Sequence, residues 1–364
     1  MASSRIFSGI QPSGELHIGN YLGAVKNWVA LQRQYESFFC IVDYHAITVP
    51  YEPEDLKRRT RDMAISLIAS GIDPSACTLF VQSAVPEHTE LAWIFNTITP
   101  LGELERQTQF KEKSSRQESI LAGILNYPVL QAADIALYKA DLVPVGEDQV
   151  QHLELSREIV RRWNTRYSPG YAAREAHDET SRAEATSPET GMPAGPSQDA
   201  EEVEGFFPEP KPLLTPTRRI MGLDGKAKMS KSLGNTVALL EDPKDMWEKL
   251  RPAVTDPARV RRTDPGTPEV CNIYHLHKAL SPPETVEHVA VQCRTAGWGC
   301  IDCKKVLFES MDRELAPIRQ RAADIRANET EIQDILSQGA RKAREVAQST
   351  LRTTKELMGL ARDG

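Results

Sequence analysis

The chain of 364 residues contains no apolar run approaching the roughly 18–20 residues that a membrane helix needs. Met1 to Ile10 lacks the long apolar stretch of a secretory leader. No internal repeat is evident. A bilayer span and an export route are therefore not expected, and the cytoplasm is the expected compartment. What is present is ordinary globular material. Apolar residues make up 40 % and charged residues 26 %. That argues against a wholly disordered, collagen-like or coiled-coil chain, and the length allows two domains.

The net charge of −7 is not spread evenly. Ser168 to Pro212 holds ten acidic and three basic residues, and so carries the whole excess; the remainder is neutral. A polyanion can still bind elsewhere, because local field rather than net charge steers it. The same segment has seven prolines and four glycines in 45 residues and few aliphatics. Its composition cannot bury enough apolar surface to offset the entropy of ordering it, so it reads as a flexible acidic insertion.

Before the insertion, strand-like runs (Arg5–Ile10, Ser37–Asp43, Thr78–Gln82) alternate with helical patterns (Gly19–Gln34, Glu54–Ser70 and one from about Glu87). Strand and helix in alternation predict an α/β fold, a doubly wound parallel sheet, with ligands at the carboxyl ends of the strands. After Leu233 the patterns turn helical: Pro243–Leu250, Asn272–Leu280, Pro283–Arg294, Cys303–Arg326 and Glu329–Leu360. The expected organisation is a catalytic domain over 1–167, the insertion over 168–212, the end of the catalytic domain over 213–235 and a helical domain over 236–364. The last helix is expected to pack back on the first domain.

Two loops have phosphate-binding chemistry. The first runs from Gly9 to Asn20, GIQPSGELHIGN, and follows a strand and opens a helix. Its glycines and Pro12 allow a tight turn, the helix N-terminus offers N–H groups to an anion, and His17 and Asn20 add side chains three residues apart. The second is KMSKS, Lys228 to Ser232, preceded by Asp224, Gly225 and Lys226. Two lysines and two serines in five residues make a mobile clamp for polyphosphate oxygens. Each alone could be a plain turn or a solvated basic loop.

HIGN after the first strand and KMSKS about 200 residues later are the paired signatures of class I aminoacyl-tRNA synthetases. The chain resembles the bacterial tryptophanyl-tRNA synthetases over nearly its whole length apart from the insertion. The resemblance lies in GIQPSGELHIGNYLGA (9–24), FCIVDYHAIT (39–48), GELERQTQFKEKS (102–114), YPVLQAADIALY (127–138) and VPVGEDQVQHLELSREI (143–159). The tyrosine enzymes share the fold; the GEDQ run, the DYHAIT segment and KMSKS favour tryptophan. The resemblance implies a Rossmann-like catalytic domain with a helical anticodon-binding domain, a homodimer, and use of ATP and Mg²⁺ to form tryptophanyl-adenylate before transfer to tRNA(Trp).

By resemblance, Gln11, Pro12, Ser13, His17, Gly19 and Asn20 cradle ATP. Gly146, Glu147 and Asp148 hold the nucleoside with Gln149 beside them, and Ile220 meets adenine through its backbone. Lys228, Met229, Ser230, Lys231 and Ser232 grip the triphosphate. No general base is needed, because the substrate carboxylate is already the nucleophile; the work is positioning and charge stabilisation. Lys228 and Lys231 are the expected electrostatic catalysts. Asp134 is expected to accept the indole N–H, a group that only donates, with Phe7, His45 and Gln131 bordering the pocket.

Of six cysteines, Cys40 and Cys77 lie in strand-like apolar surroundings and are expected to be buried and inert. Cys271, Cys293, Cys300 and Cys303 fall within 33 residues with the spacing C-x21-C-x6-C-x2-C. Four thiolates suit tetrahedral Zn²⁺ or a [4Fe–4S] cluster. A subset of bacterial tryptophanyl-tRNA synthetases carries a [4Fe–4S] cluster on nearly this spacing, which makes iron–sulfur the expectation and zinc the alternative. Lys304, Lys305, Arg294, Arg259, Arg261 and Arg262 nearby are candidates for tRNA phosphate contacts.

Overall fold

The computed structural model of the chain describes residues 4–107, 110, 121–146, 150–171, 205–214, 220–230 and 233–360. Five strands, β1 (Arg5–Ile10), β2 (Glu36–Ile41), β3 (Thr78–Val81), β4 (Leu142–Val145) and β5 (Lys211–Leu214), form one sheet. All pairings are parallel, in the order β3-β2-β1-β4-β5. That is the expected doubly wound topology, with its switch point between β1 and β4. The strands are nearly continuous apolar runs because both faces are covered. Ile6, Phe39, Ile41 and Leu79 enter one core cluster, and Phe7, Phe38, Cys40 and Phe80 enter the other. Cys40 and Cys77 are buried, and burial raises the pKa of both thiols.

The helices are α1 (Ile18–Asn20), α2 (Lys26–Leu31), α3 (Asp43–Ala46), α4 (Pro53–Ala69), α5 (Glu87–Asn96), α6 (Leu101–Glu105), α7 (Ala122–Leu137) and α8 (Val150–Tyr167). A π-helical turn, Tyr21–Val25, joins α1 to α2. In the C-terminal part follow α9 (Pro243–Leu250), α10 (Asn272–Leu280), α11 (Pro283–Arg294), α12 (Cys300–Arg326) and α13 (Glu329–Leu357). Local chemistry accounts for several starts. Pro53 opens α4, with Glu54 and Asp55 in its first turn. Asp242 caps α9 by accepting the Lys244 N–H at 2.8 Å.

The C-terminal helices share a core with the sheet. Leu307, Met311, Leu315 and Ile318 of α12 belong to the same apolar cluster as Ile6 and Trp28. Glu314 of α12 accepts hydrogen bonds from Tyr21 Oη and Lys26 Nζ, each at 2.8 Å, and Arg321 donates to the Ala69 carbonyl at 2.6 Å. Helix α13 lies against β3 so closely that a Cβ on Gly339 would stand 1.8 Å from the Leu79 carbonyl oxygen. Arg344 pairs with Glu87 at 2.9 Å, and Lys355 pairs with Glu90.

One boundary is corrected. Composition places residues 205–212 in the flexible insertion, yet they are built into the sheet domain. Phe207 is buried at 1 % exposure, and Asn164 holds its backbone from both sides, accepting from its N–H at 3.1 Å and donating to its carbonyl at 2.8 Å. Lys211 and Pro212 begin β5. Two adjacent aromatics and a parallel partner strand outweigh the acidic composition just upstream. Residues 172–204 lie outside the described residues.

Candidate active site

The first signature leaves the carboxyl end of β1. Pro12 is buried while Gln11 and Ser13 are exposed. His17 Nδ1 accepts the Asn20 N–H at 3.2 Å, and Asn20 Oδ1 accepts the His17 N–H at 3.4 Å. This reciprocal cap opens α1. Ile18 N–H donates to the Val237 carbonyl at 3.0 Å. Two of the first-turn N–H groups that the sequence offered to an anion are thus satisfied inside the protein, because a buried turn cannot leave them unpaired.

The second signature is brought against the first. The Leu239 N–H donates to the Leu16 carbonyl at 2.7 Å, so residues 16–18 and 237–239 hydrogen-bond to each other. Met229 is 5 % exposed, and a Cβ added to Gly19 would stand 3.0 Å from His17 Nδ1 and 3.3 Å from Met229 Cβ. Lys228 is exposed. Ile220 lies beside this loop and accepts the Met229 N–H at 3.4 Å. Asn235, which sequence reasoning missed, organises the turn: its Oδ1 accepts the Ser230 N–H at 2.8 Å, and its amide donates to Asp224 at 3.1 Å. Lys231 and Ser232 lie outside the described residues, as do Glu147, Asp148 and Gln149; Gly146 directly follows β4.

Asp134 sits on α7, a helix buried almost all round. It is 1 % exposed. His45 Nε2 is 2.8 Å from its Oδ2; Gln82 Nε2 at 2.7 Å and His88 Nδ1 at 2.6 Å both meet Oδ1. Burial works to raise the pKa of this carboxyl, but its interactions with His88 and His45 outweigh burial and hold it down to about 2. Phe7 on β1 is buried and stacks on Tyr138 at 5.5 Å between centroids. Gln131 is half-buried, one turn before Asp134 on the same helix. His45 and Gln82 follow the carboxyl ends of β2 and β3, so the sheet delivers them to one place. Gln82, His88 and Tyr138 were missed; a position just past a strand was the single sequence signal, and it applied to Gln82.

Cys271, Cys293, Cys300 and Cys303 line one pocket, with Thr255, Asp256, Arg259, Ile273, Val289 and Trp298. The Cys303 thiol is pushed up to about 12 by burial and by the other three cysteines. Among the described residues, no group of three or more His, Cys, Asp or Glu side chains converges closely enough to hold a metal ion. Lys304 is corrected: it is 4 % exposed and donates to the Arg251 and Ala253 carbonyls, each at 2.6 Å, so it is not available to tRNA. Arg294 pairs with Glu269, and Arg259 donates to the Trp298 carbonyl at 2.5 Å. Lys305, Arg261 and Arg262 remain exposed.

Residues 1–316 match the family described as tRNA synthetases class I (W and Y). The tryptophan–tRNA ligase of Deinococcus radiodurans is 49 % identical over 98 % of both chains. That of Thermotoga maritima is 41 % identical over 98 % of this chain and 99 % of its own. The chain belongs to the class I tryptophanyl-tRNA synthetase family. Among solved structures, the tryptophanyl-tRNA synthetase of Campylobacter jejuni complexed with ADP and tryptophan matches with a TM-score of 0.80 at 32 % identity, over 98 % of this chain and 100 % of that one. A tyrosyl-tRNA synthetase from Archaeoglobus fulgidus matches with a TM-score of 0.61 at 22 % identity, which is a likeness of fold alone. Among the described residues no helix is long and apolar enough to cross a membrane.

Proposed function

We infer that the chain is an ATP-dependent tryptophan–tRNA ligase, which activates L-tryptophan to tryptophanyl-adenylate and transfers it to tRNA(Trp). The observation that carries this is Asp134, a buried acid that accepts from Gln82 and meets His45 and His88 near the carboxyl ends of the strands, in a chain 49 % identical to a tryptophan–tRNA ligase. Indole N–H can only donate, so a fixed carboxylate selects it, and a ring lacking that donor leaves the acceptor unpaired. Phe7, His45 and Gln131 border the ring.

In activation, the tryptophan carboxylate oxygen attacks the α-phosphorus of ATP. The new bond is the mixed acyl–phosphate anhydride, and the bond that breaks, from the α-phosphorus to the oxygen bridging to the β-phosphate, releases pyrophosphate. A terminal ribose hydroxyl of the tRNA then displaces AMP. Gln11, Pro12, Ser13, Gly19, Asn20, Gly146, Glu147, Asp148, Ile220, Met229, Ser230 and Ser232 hold the nucleotide. Lys228, Lys231, His17 and Gln149 steady the developing charge. With Oδ1 of Asn20 engaged in the cap, its phosphate contact falls to Nδ2. Mg²⁺, when bound, offsets charge on the leaving pyrophosphate. The experiment is ATP–pyrophosphate exchange: it should respond to tryptophan and not to tyrosine, and faster exchange with tyrosine would overturn the assignment.

The C-terminal helices from 236 onward serve as the anticodon-binding unit in this reading, and the protein works in the cytoplasm as a homodimer. Trp93, 72 % exposed, and Leu101, 59 % exposed, are the kind of apolar surface that a second copy covers.

Cys271, Cys293, Cys300 and Cys303 would hold a [4Fe–4S] cluster. Four thiols in one pocket with Arg259 beside them suit an anionic cluster. A single tetrahedral Zn²⁺ on the same four thiolates is the alternative. The cluster would tie α10, α11 and α12 together, a structural role, since charging a tRNA has no redox step. Anaerobically purified protein should absorb broadly near 400 nm and contain about four irons per chain. Zinc without iron would refute it.

A further inference from the structure

Behind Asp134 stand three groups that belong to neither phosphate-binding signature. An ionised carboxylate has about four acceptor positions. Gln82 and His88 fill two on Oδ1, and His45 fills one on Oδ2. Each of the first two donors is held from behind. Gln82 Oε1 accepts the Tyr44 N–H at 3.1 Å, which fixes the amide so that its nitrogen faces Asp134. Asp134 only accepts, so His88 Nδ1 donates, and the Tyr138 hydroxyl closes the other end of the ring at 2.8 Å from Nε2. Tyr138 is clamped in turn by Phe7 and Phe38, stacked at 5.5 and 4.6 Å. Gln82, His88 and Tyr138 are all fully buried at 0 % exposure.

We propose that His88 and Tyr138 are positioning residues for tryptophan selection: the Tyr138–His88–Asp134 chain locks the carboxylate so that one acceptor position, on Oδ2, is left for the indole N–H. The inference rests on the reading of Asp134 as the indole acceptor. Without His88, Oδ1 regains an open lone pair and the carboxylate can turn. The pocket then offers its charge in more than one direction, and the advantage of a substrate with a donor in one fixed place falls. A low carboxyl pKa agrees with an acceptor that stays ionised throughout the working range.

The test compares kcat/KM for L-tryptophan with that for the benzothiophene analogue, in which sulfur replaces the N–H at nearly unchanged shape. Tyr138→Phe removes one hydroxyl and keeps the ring. His88→Leu removes the donor, and His88→Gln restores one. The tryptophan-to-analogue ratio should fall at least tenfold in Tyr138→Phe and His88→Leu, through KM for tryptophan rather than kcat, and recover in part in His88→Gln. Equal losses on both substrates would show a structural role only and overturn the proposal. Asp134→Leu, which removes both acceptor oxygens at similar volume, separates the two readings. If it leaves the ratio unchanged, Asp134 is not the indole acceptor. If it collapses the ratio while Tyr138→Phe and His88→Leu do not, the acceptor stands and the positioning role falls. Tyr138→Phe, the least invasive change, keeps the test open should His88→Leu fail to fold.

Discussion

The surroundings of Asp134 and the junction between the two signatures solve opposite problems. Around Asp134, side chains from four elements meet at 2.6 to 2.8 Å and are almost wholly buried. At the junction the contacts are mainly backbone hydrogen bonds between residues 16–18 and 237–239, with Met229 as an apolar anchor and Lys228 exposed. A neutral ring with a single N–H is distinguished by one acceptor fixed in place, which demands a rigid buried network. A polyphosphate is gripped by strong charge that stays hydrated until the ligand arrives, which suits lysines on a loop over an ordered base.

Substitution of the clamp should produce the largest effect. Lys228→Ala and Lys231→Ala are each expected to lower the rate of adenylate formation by about 10²–10³-fold, as for loss of a charge-stabilising group, with tryptophan affinity little changed. Rapid-quench measurement checks this, and equal rates for mutant and wild type would sink the assigned role. On the rigid side, Asp134→Asn should cost about 10²-fold in kcat/KM for tryptophan, the scale of mispaired buried donors, while KM for ATP holds. The same network has an acid signature. The carboxyl is held at about 2 against an ordinary 3.8, so its contribution is full above pH about 4 and is lost as pH falls through about 2. Denaturant titrations should show stability disappearing over that window in wild type and not in Asp134→Asn.

Two packing variants sharpen the comparison further. Gly339→Ala forces α13 off β3 at the Leu79 carbonyl and should cost about 1–3 kcal/mol of stability, the usual price of overpacking. Because α13 also pairs with Glu87 of α5, next to His88, KM for tryptophan should rise more than KM for ATP. Tyr21→Phe removes the hydroxyl that meets Glu314 and should cost about 1 kcal/mol, with any kinetic change on the ATP side. The reverse pattern in either variant would break the division between the two regions.

The doubly wound sheet and the helical C-terminal part were legible because the apolar runs and helical periods are strong and local. Three strands and the helices α9, α10 and α11 follow that pattern closely. The helix expected from Cys303 begins at Cys300, and the last helix ends at Leu357 rather than Leu360. β5 escaped detection because Lys211–Leu214 carries two residues, Lys211 and Pro212, that composition assigns to the acidic insertion, and only its parallel partner β4 makes it a strand. Lys304 looked like a surface base; its depth depends on the carbonyls at the end of α9, more than fifty positions away in sequence. His88 carried no signal at all, since nothing in EHTELAW tells a buried partner from a helical surface residue.

From the sequence alone came the chemistry that resides in residue type and spacing: the two phosphate loops, the four thiols and the alternation that makes a parallel sheet, while Asp134 came through the family resemblance. These are readable because glycine turns, lysine charge and apolar period act over a few neighbouring residues. Only the tertiary structure decided which groups surround Asp134, that Met229 rests against Gly19, that His17 spends Nδ1 on a helix cap, and that α12 shares the core of the sheet. Those outcomes depend on contacts between residues far apart in the chain, and they are settled by burial: a polar atom removed from water must find a partner wherever the fold brings one.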